Sequence, residues 1–176
     1  MITKMMNEDV QTRWQYFNVA TKASPEKRLQ RLWYGSRDSA RTPVQWTGGK
    51  NAGFTDGTPW FYVNENYKEI NVADQEGDPD SVLNFYRKAI ELRKSLSAVK
   101  DGNYTEHFKG SSKVYTYTRE DEKQKLLVIC SFTDKSARVK APGGFDLDKA
   151  TLLLSNYEEK GQTLKPYEVR VYLLEK

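Results

Sequence analysis

Downstream of about Asp101 the apolar positions recur every second residue, whereas between Asp78 and Ser97 they recur every third and fourth. The change of period predicts a helical stretch followed by strands. Asp78-Pro79-Asp80-Ser81 opens the clearest helix, with its end expected near Ser97. Val82, Tyr86, Ala89, Ile90, Arg93 and Leu96 lie along one stripe, which Leu83 and Phe85 widen. Asp78 and Asp80 at its start and Arg93 and Lys94 at its end suit the helix dipole. The stripe must be buried against something. A shorter helix is expected from the N-cap Ser24, with Pro25 in the first helical position and Gly35 as its stop, carrying Leu29, Leu32 and Trp33. Val10, Trp14, Phe17 and Val19 predict another helix before it.

The period-two region contains runs rich in β-branched and aromatic residues at 104–108, 113–118, 125–132, 137–140, 151–156 and 167–174, separated by polar or Gly/Pro turns. REDEKQK at 119–125 reads as a hairpin turn. Val169, Val171 and Leu173 alternate with Arg170, Tyr172 and Leu174, the signature of a half-buried strand. About six to eight short strands in this span imply an antiparallel sandwich. The fold class expected is therefore α+β, divided into residues 1–98 and 99–176.

Residues 36–77 have neither period. They are rich in Gly, Asn, Thr and Pro and too long for a simple connection within a compact domain. This loop holds the candidate chemistry. Arg37 and Arg41 offer two forked guanidiniums that can hold a hydroxyl pair or a carboxylate, while Trp46, Phe54 and Trp60 offer flat apolar faces. Such a set suits the mouth of a sugar pocket. Arg and Trp pairs also pin irregular loops onto a core, and the residue types alone leave both readings open.

Composition removes several classes of function. Of 176 residues, 38% are apolar, enough for a modest core, and 30% are charged. The mean hydropathy is −0.80. The net charge of +4 is spread among 24 acidic residues, with no basic cluster or nucleic-acid-binding motif, so no nucleic-acid partner is expected. No apolar stretch approaches a membrane span, and the first residues lack the apolar core of a signal peptide, so a cytoplasmic location is expected. The single cysteine, Cys130, lies in the apolar run Leu126–Cys130 and reads as inert core filling. Glu76, Asp78 and Asp80 do not make a calcium loop, because Gly77 and Pro79 break the alternating ligand spacing. No metal or cofactor is expected.

SRDSARTPVQW (36–46), NAGFTDGTPW (51–60) and VNENYKEINV (63–72) resemble the loop that follows the eighth barrel strand in oligo-1,6-glucosidases, dextran glucosidases and related α-glucosidases of the α-amylase superfamily. The resemblance runs from about Asp9 to Lys176. The Arg-Asp-x-x-Arg-Thr-Pro-x-Gln-Trp string carries most of it, with Val44 standing where the family usually has Met, a mild apolar exchange. By this resemblance residues 1–98 are the last section of a (β/α)8 barrel, the helix opened by Asp78-Pro79-Asp80-Ser81 and ending near Ser97 is its last helix, and 99–176 form the β-sandwich C-terminal domain. The implied substrate is an α-glucosidic oligosaccharide, and Arg37 matches the arginine that lines the terminal-glucose pocket. Arg41 is the second substrate-binding candidate, better suited to anchoring the loop with Asp38.

The family's retaining chemistry needs two carboxyl groups about 5 Å apart, a nucleophile and an acid/base. In the family the nucleophile lies in an Arg-x-Asp at the end of an apolar strand, and another carboxylate follows an Asn-His pair. Here Arg119-Glu120-Asp121 is in a polar hairpin, and His107 is flanked by Glu106 and Phe108. The chain is therefore expected to be the C-terminal part of an α-glucosidase, with no catalytic residue of its own and no activity alone. Its expected partners are a complementary barrel fragment or a second copy of itself. The alternative is a free-standing carbohydrate-binding or structural β-domain. Tyr104, Tyr115, Tyr117, Tyr157, Tyr167 and Tyr172 can supply a stacking platform, although alternating tyrosines also serve as cross-strand packing pairs.

Overall fold

The computed structural model describes residues 22–35, 40–138, 141–158 and 162–176. The expected helix around Val10–Val19 lies outside them. The chain divides into two compact units between Asp78 and Pro79, so the helix that follows Pro79 belongs with the sheet.

In the first unit α1 (Pro25–Gly35) begins where the N-cap signal placed it. Ser24 O accepts the Arg28 N–H at 3.0 Å, and Ser24 Oγ lies 3.4 Å from the Lys27 nitrogen. The long connection that follows is not structureless. It contains a short helix, α2 (Val72–Gly77), that periodicity does not reveal because six residues span less than two turns. Its signal is the cap: Asn71 Oδ1 accepts the Asp74 N–H at 3.0 Å.

The second unit opens with α3 (Val82–Ser95) and α4 (Ser97–Lys100). Two expectations need correction. The cap is Ser81, whose Oγ accepts the Asn84 N–H at 3.2 Å, so Asp78 and Asp80 precede the helix and its first turn holds no acid. Leu96 adopts extended dihedrals (φ −86°, ψ 121°) and ends the helix at Ser95, within two residues of the expected end near Ser97. The expected stripe also behaves differently. Leu92 and Leu96 pack on the sheet, while Val82, Tyr86 and Ile90 remain 69%, 65% and 48% exposed. The helix is apolar on two faces, and this unit covers one.

Among the described residues seven strands follow: β1 (Asn103–His107), β2 (Val114–Glu120), β3 (Gln124–Ser131), β4 (Ala137–Arg138), β5 (Thr151–Ser155), β6 (Thr163–Leu164) and β7 (Val169–Glu175). All pairings are antiparallel. Five strands form one sheet in the order β1-β2-β3-β7-β5, and β4 and β6 form a two-stranded ribbon. The β2–β3 turn falls at Asp121–Lys123, as REDEKQK predicts, because Asp121 Oδ1 accepts the N–H groups of Lys123 and Gln124 at 2.8 and 2.7 Å. β4 falls inside the expected run 137–140, whereas β6 was not predicted, since its two residues stand outside any run of β-branched and aromatic positions.

The central strand explains the unbroken run Leu126–Cys130: both of its faces are covered. Leu127 and Ile129 meet Phe145, Leu164 and Tyr172 on one side. Leu126 and Val128 meet Leu96 and Leu173 on the other. Cys130 belongs to the second cluster's margin, where burial pushes its thiol pKa up. It is core filling in a desolvated site, with the thiol form favoured.

Candidate functional site

The candidate loop is held by a dense set of local hydrogen bonds. Asn51, Ala52 and Gly53 all adopt left-handed dihedrals, with φ of 50°, 56° and 66°. This turn points Ala52 O back at the preceding segment, where it accepts the N–H groups of Trp46 and Thr47 at 2.8 and 3.0 Å. Asn51 Nδ2 donates to Thr55 O at 3.0 Å and to Gly57 O at 2.8 Å. Ala52 is fully buried. A side chain at Gly53 would meet Thr47 Oγ1 at 2.7 Å, so the glycine is needed for space as well as for φ.

A second set of bonds ties this turn to α2. Val72 N–H donates to Gln45 O at 2.8 Å and Ala73 N–H to Trp46 O at 3.0 Å, while Gln45 Nε2 donates to Ile70 O. Asn71, almost fully buried, bridges Tyr67 O at 3.1 Å and Asp74 Oδ2 at 2.7 Å. The result is a braced scaffold in which the segment 45–47 is bonded both to the turn and to the start of α2.

Aromatic rings project from that scaffold. Phe61 is buried and serves as the anchor, with Trp60 edge-on to it and Tyr62 stacked on it, each at 5.4 Å between centroids. Trp60 is 75% exposed, and Trp46, Phe54 and Val44 also face solvent. Exposed aromatic rings on a braced loop can accept the apolar faces of pyranose rings at small entropic cost, because the backbone is already ordered.

Of the two arginines expected to bind substrate, Arg41 is exposed and makes no hydrogen bond or ion pair among the described residues. Arg37 and its neighbour Asp38 lie outside the described residues. Sequence reasoning missed Asn51, Gln45 and Asn71, which position the loop. The signals were there in part: Asn-Ala-Gly favours left-handed backbone, and Asn71 followed three residues later by Asp74 marks a cap.

The six tyrosines do not form one platform. Tyr172 is buried in the core. Tyr157 Oη donates to Pro166 O at 3.0 Å, and the Lys165 ammonium lies 5.1 Å from its ring centroid. Tyr104, Tyr115 and Tyr117 do come together on the β1–β2 hairpin. His107 Nε2 pairs with Thr118 Oγ1 at 2.9 Å. Among the described residues no group of His, Cys, Asp and Glu is arranged to hold a metal ion, and no helix is long and apolar enough to cross a membrane.

The model of the alpha-amylase catalytic domain matches residues 5–102. A probable oligo-1,6-glucosidase of Bacillus subtilis (strain 168) is 44% identical over 156 residues, covering 86% of this chain and 28% of the relative. The oligo-1,6-glucosidase of Halalkalibacterium halodurans is 39% identical over 173 residues, covering 94% of this chain and 31% of the relative. Among solved structures, a trehalose-6-phosphate hydrolase of Bacillus licheniformis superposes with a TM-score of 0.89 at 37% identity, over 100% of this chain and 33% of that one. The chain thus spans less than a third of the length of these curated relatives.

Proposed function

Since the chain belongs to the alpha-amylase family, we propose that it supplies the substrate-pocket loop and outer β-domain of an oligo-1,6-glucosidase-like α-glucosidase. In this reading residues 1–98 are the closing section of a (β/α)8 barrel and 99–176 a sandwich-type C-terminal domain. The braced loop presents Trp46, Phe54 and Trp60 to an α-glucosidic oligosaccharide. Arg37 donates to hydroxyls of the terminal glucose, and Arg41, exposed and unpaired among the described residues, is the second substrate-binding candidate. The nucleophile and the acid/base of a retaining mechanism come from barrel strands supplied elsewhere, and the chain alone is inactive.

The observation that carries this reading is the second apolar face of α3. Val82, Tyr86 and Ile90 stand one turn apart along a helix inside the matched family domain, and all three are exposed. A helix apolar on two sides fits a position between a sheet and a further packed layer. That layer is the rest of the barrel, joined to this chain or provided as a complementary fragment. Self-association through the same stripe is the other way to cover it.

The test is hydrolysis of isomaltose and p-nitrophenyl α-glucoside. The chain alone is expected to show none. Turnover is expected when these residues are joined to the preceding barrel of a relative, and Arg37→Ala should cut its catalytic efficiency by orders of magnitude without unfolding it. Turnover by the chain alone that survives repurification, and vanishes on substitution of one of its own carboxylates, overturns the reading. A second reading, a free-standing structural or carbohydrate-binding β-domain, has in its favour that the unit after Pro79 contains both buried clusters. It requires residues 79–176 to fold without any barrel.

A further inference from the structure

The β1–β2 hairpin has two unlike faces. Thr116 and Thr118 are buried on one, while Tyr104 and Tyr115 on the other are exposed and Tyr117 is only half-buried. Cross-strand tyrosines used only for packing would be covered. Tyr117 packs against the second core cluster, and Tyr104 and Tyr115 extend outward from it as an open strip: the Tyr104–Tyr117 and Tyr115–Tyr117 centroids are each 5.5 Å apart, and the Tyr104 and Tyr115 hydroxyls share a hydrogen bond of 2.7 Å. Phe132, 67% exposed, extends the strip with its ring 6.5 Å from Tyr115.

Beside Tyr115 the strip borders a hollow of about 420 Å³, lined by Glu106, Phe108, Ser112, Tyr115 and Phe132 among others. Its volume falls in the range of small-ligand sites, and its mixture of rings with one carboxylate and serine hydroxyls follows their usual make-up. The rim is rigid. Phe108 and Gly110 take left-handed dihedrals, φ 55° and 85°, and Ser111 Oγ accepts the N–H groups of Lys113 and Val114 at 3.3 and 3.2 Å. The lining contains a carboxylate and no cation, which disfavours phosphorylated or other anionic ligands. Flat apolar faces, hydroxyl partners and an acceptor carboxylate suit a neutral polyhydroxylated ring.

We propose that this strip and hollow are a docking site for a neutral pyranose oligosaccharide, with successive rings stacking on Phe132 and Tyr115 and ring hydroxyls donating to Glu106. The site uses only residues 104–132 and does not rest on the pocket-loop function proposed above.

Native affinity electrophoresis of the chain, in gels containing dextran or soluble starch against a sugar-free gel, tests it. The chain should be retarded. Phe132→Ala and Tyr115→Ala should each weaken the apparent affinity at least tenfold with unchanged circular dichroism, and Glu106→Gln should weaken it less. Phe132 is an exposed position, so its variant keeps the fold. Lys149→Ala, an exposed position with no part in either sugar site, should leave the retardation unchanged. Absence of retardation overturns the proposal. So does retardation that Trp60→Ala abolishes while Phe132→Ala spares it, which moves binding to the loop. A change in sedimentation on Phe132→Ala without any change in the sugar gels also overturns it and marks the strip as a contact between copies. Hydrolysis assays read the pocket-loop function separately.

Discussion

Glu168 Oε1 accepts from Arg170 Nε at 2.5 Å, two residues along the same chain, and neither side chain reaches solvent appreciably. The second carboxylate oxygen, Oε2, takes the Lys165 N–H at 2.6 Å, and the Arg170 guanidinium also reaches Thr163 O at 3.2 Å. A single ion pair thus fixes the corner between β6 and β7. Burial of two charges is costly, and their pairing offsets the cost only while both are present.

Glu168→Ala should therefore destabilise the chain by about 3 to 5 kcal/mol, because it leaves a buried guanidinium uncompensated. Replacing both partners, as in Glu168→Leu with Arg170→Met, should recover most of that loss. Urea denaturation of the single and double variants measures both. A double variant as unstable as the single would show that backbone contacts, rather than the charge pair, hold the corner.

Gly102 reports on a different constraint. A Cβ there would lie 2.4 Å from Ala98 O, and Arg119 closes the same junction by donating to Ala98 O at 3.1 Å and Gly102 O at 2.9 Å. Gly102→Ala should cost about 1 to 3 kcal/mol by overpacking. Gly77→Ala, where nothing lies within 4 Å, should be neutral or slightly stabilising. Thermal melts of the two variants give the contrast directly.

How far the sequence foretold this structure depends on how many residues each feature needs. Strands of five or more residues display a period, so β1, β2, β3, β5 and β7 were legible, and so was the helix at Pro25 from its cap and proline. The two-residue β6, outside any run of β-branched and aromatic positions, and the six-residue α2 had none to display. The stripe Val82–Tyr86–Ile90 was legible as apolar but not as exposed, since periodicity reports that a face is greasy and not what lies against it. In the loop the exposed Trp60 was legible by residue type. Asn51 was not, because its importance is conformational: a left-handed backbone with both amide hydrogens committed to carbonyls.

Tyr104 gives a pH-dependent prediction. Its hydrogen bond to Tyr115 holds its phenol pKa up at about 12. A raised folded-state value favours the protonated form. The contribution to stability is thus fully present below the ordinary tyrosine pKa near 10 and is lost as pH rises from there through about 12. Absorbance titration at alkaline pH should show one tyrosine lagging the rest, and Tyr115→Phe should bring it back toward the ordinary value. An unchanged titration curve in that variant would remove the hydrogen bond as the cause.

Asn51 is where the loop's order can be tested without touching its aromatic rim. Its Nδ2 donates to Thr55 O and Gly57 O, and its φ of 50° is one that Asn and Asp tolerate better than most residues. Asn51→Asp keeps the shape and the backbone preference but replaces a donor with an anionic acceptor facing two carbonyl oxygens. Both bonds are lost and repulsion is added, so the turn should loosen by about 2 to 3 kcal/mol. Because Trp46 and Thr47 N–H groups donate to Ala52 O in that same turn, their protection against hydrogen exchange should fall by one to two orders of magnitude at pH 7. Protonating the new carboxyl restores one donor, so protection factors corrected for intrinsic exchange should partly recover below its pKa. Asn51→Gly, which removes the side chain but keeps the left-handed freedom, should lose less and show no such recovery. Equal losses in the two variants at every pH would mean that the turn is held by its backbone bonds alone.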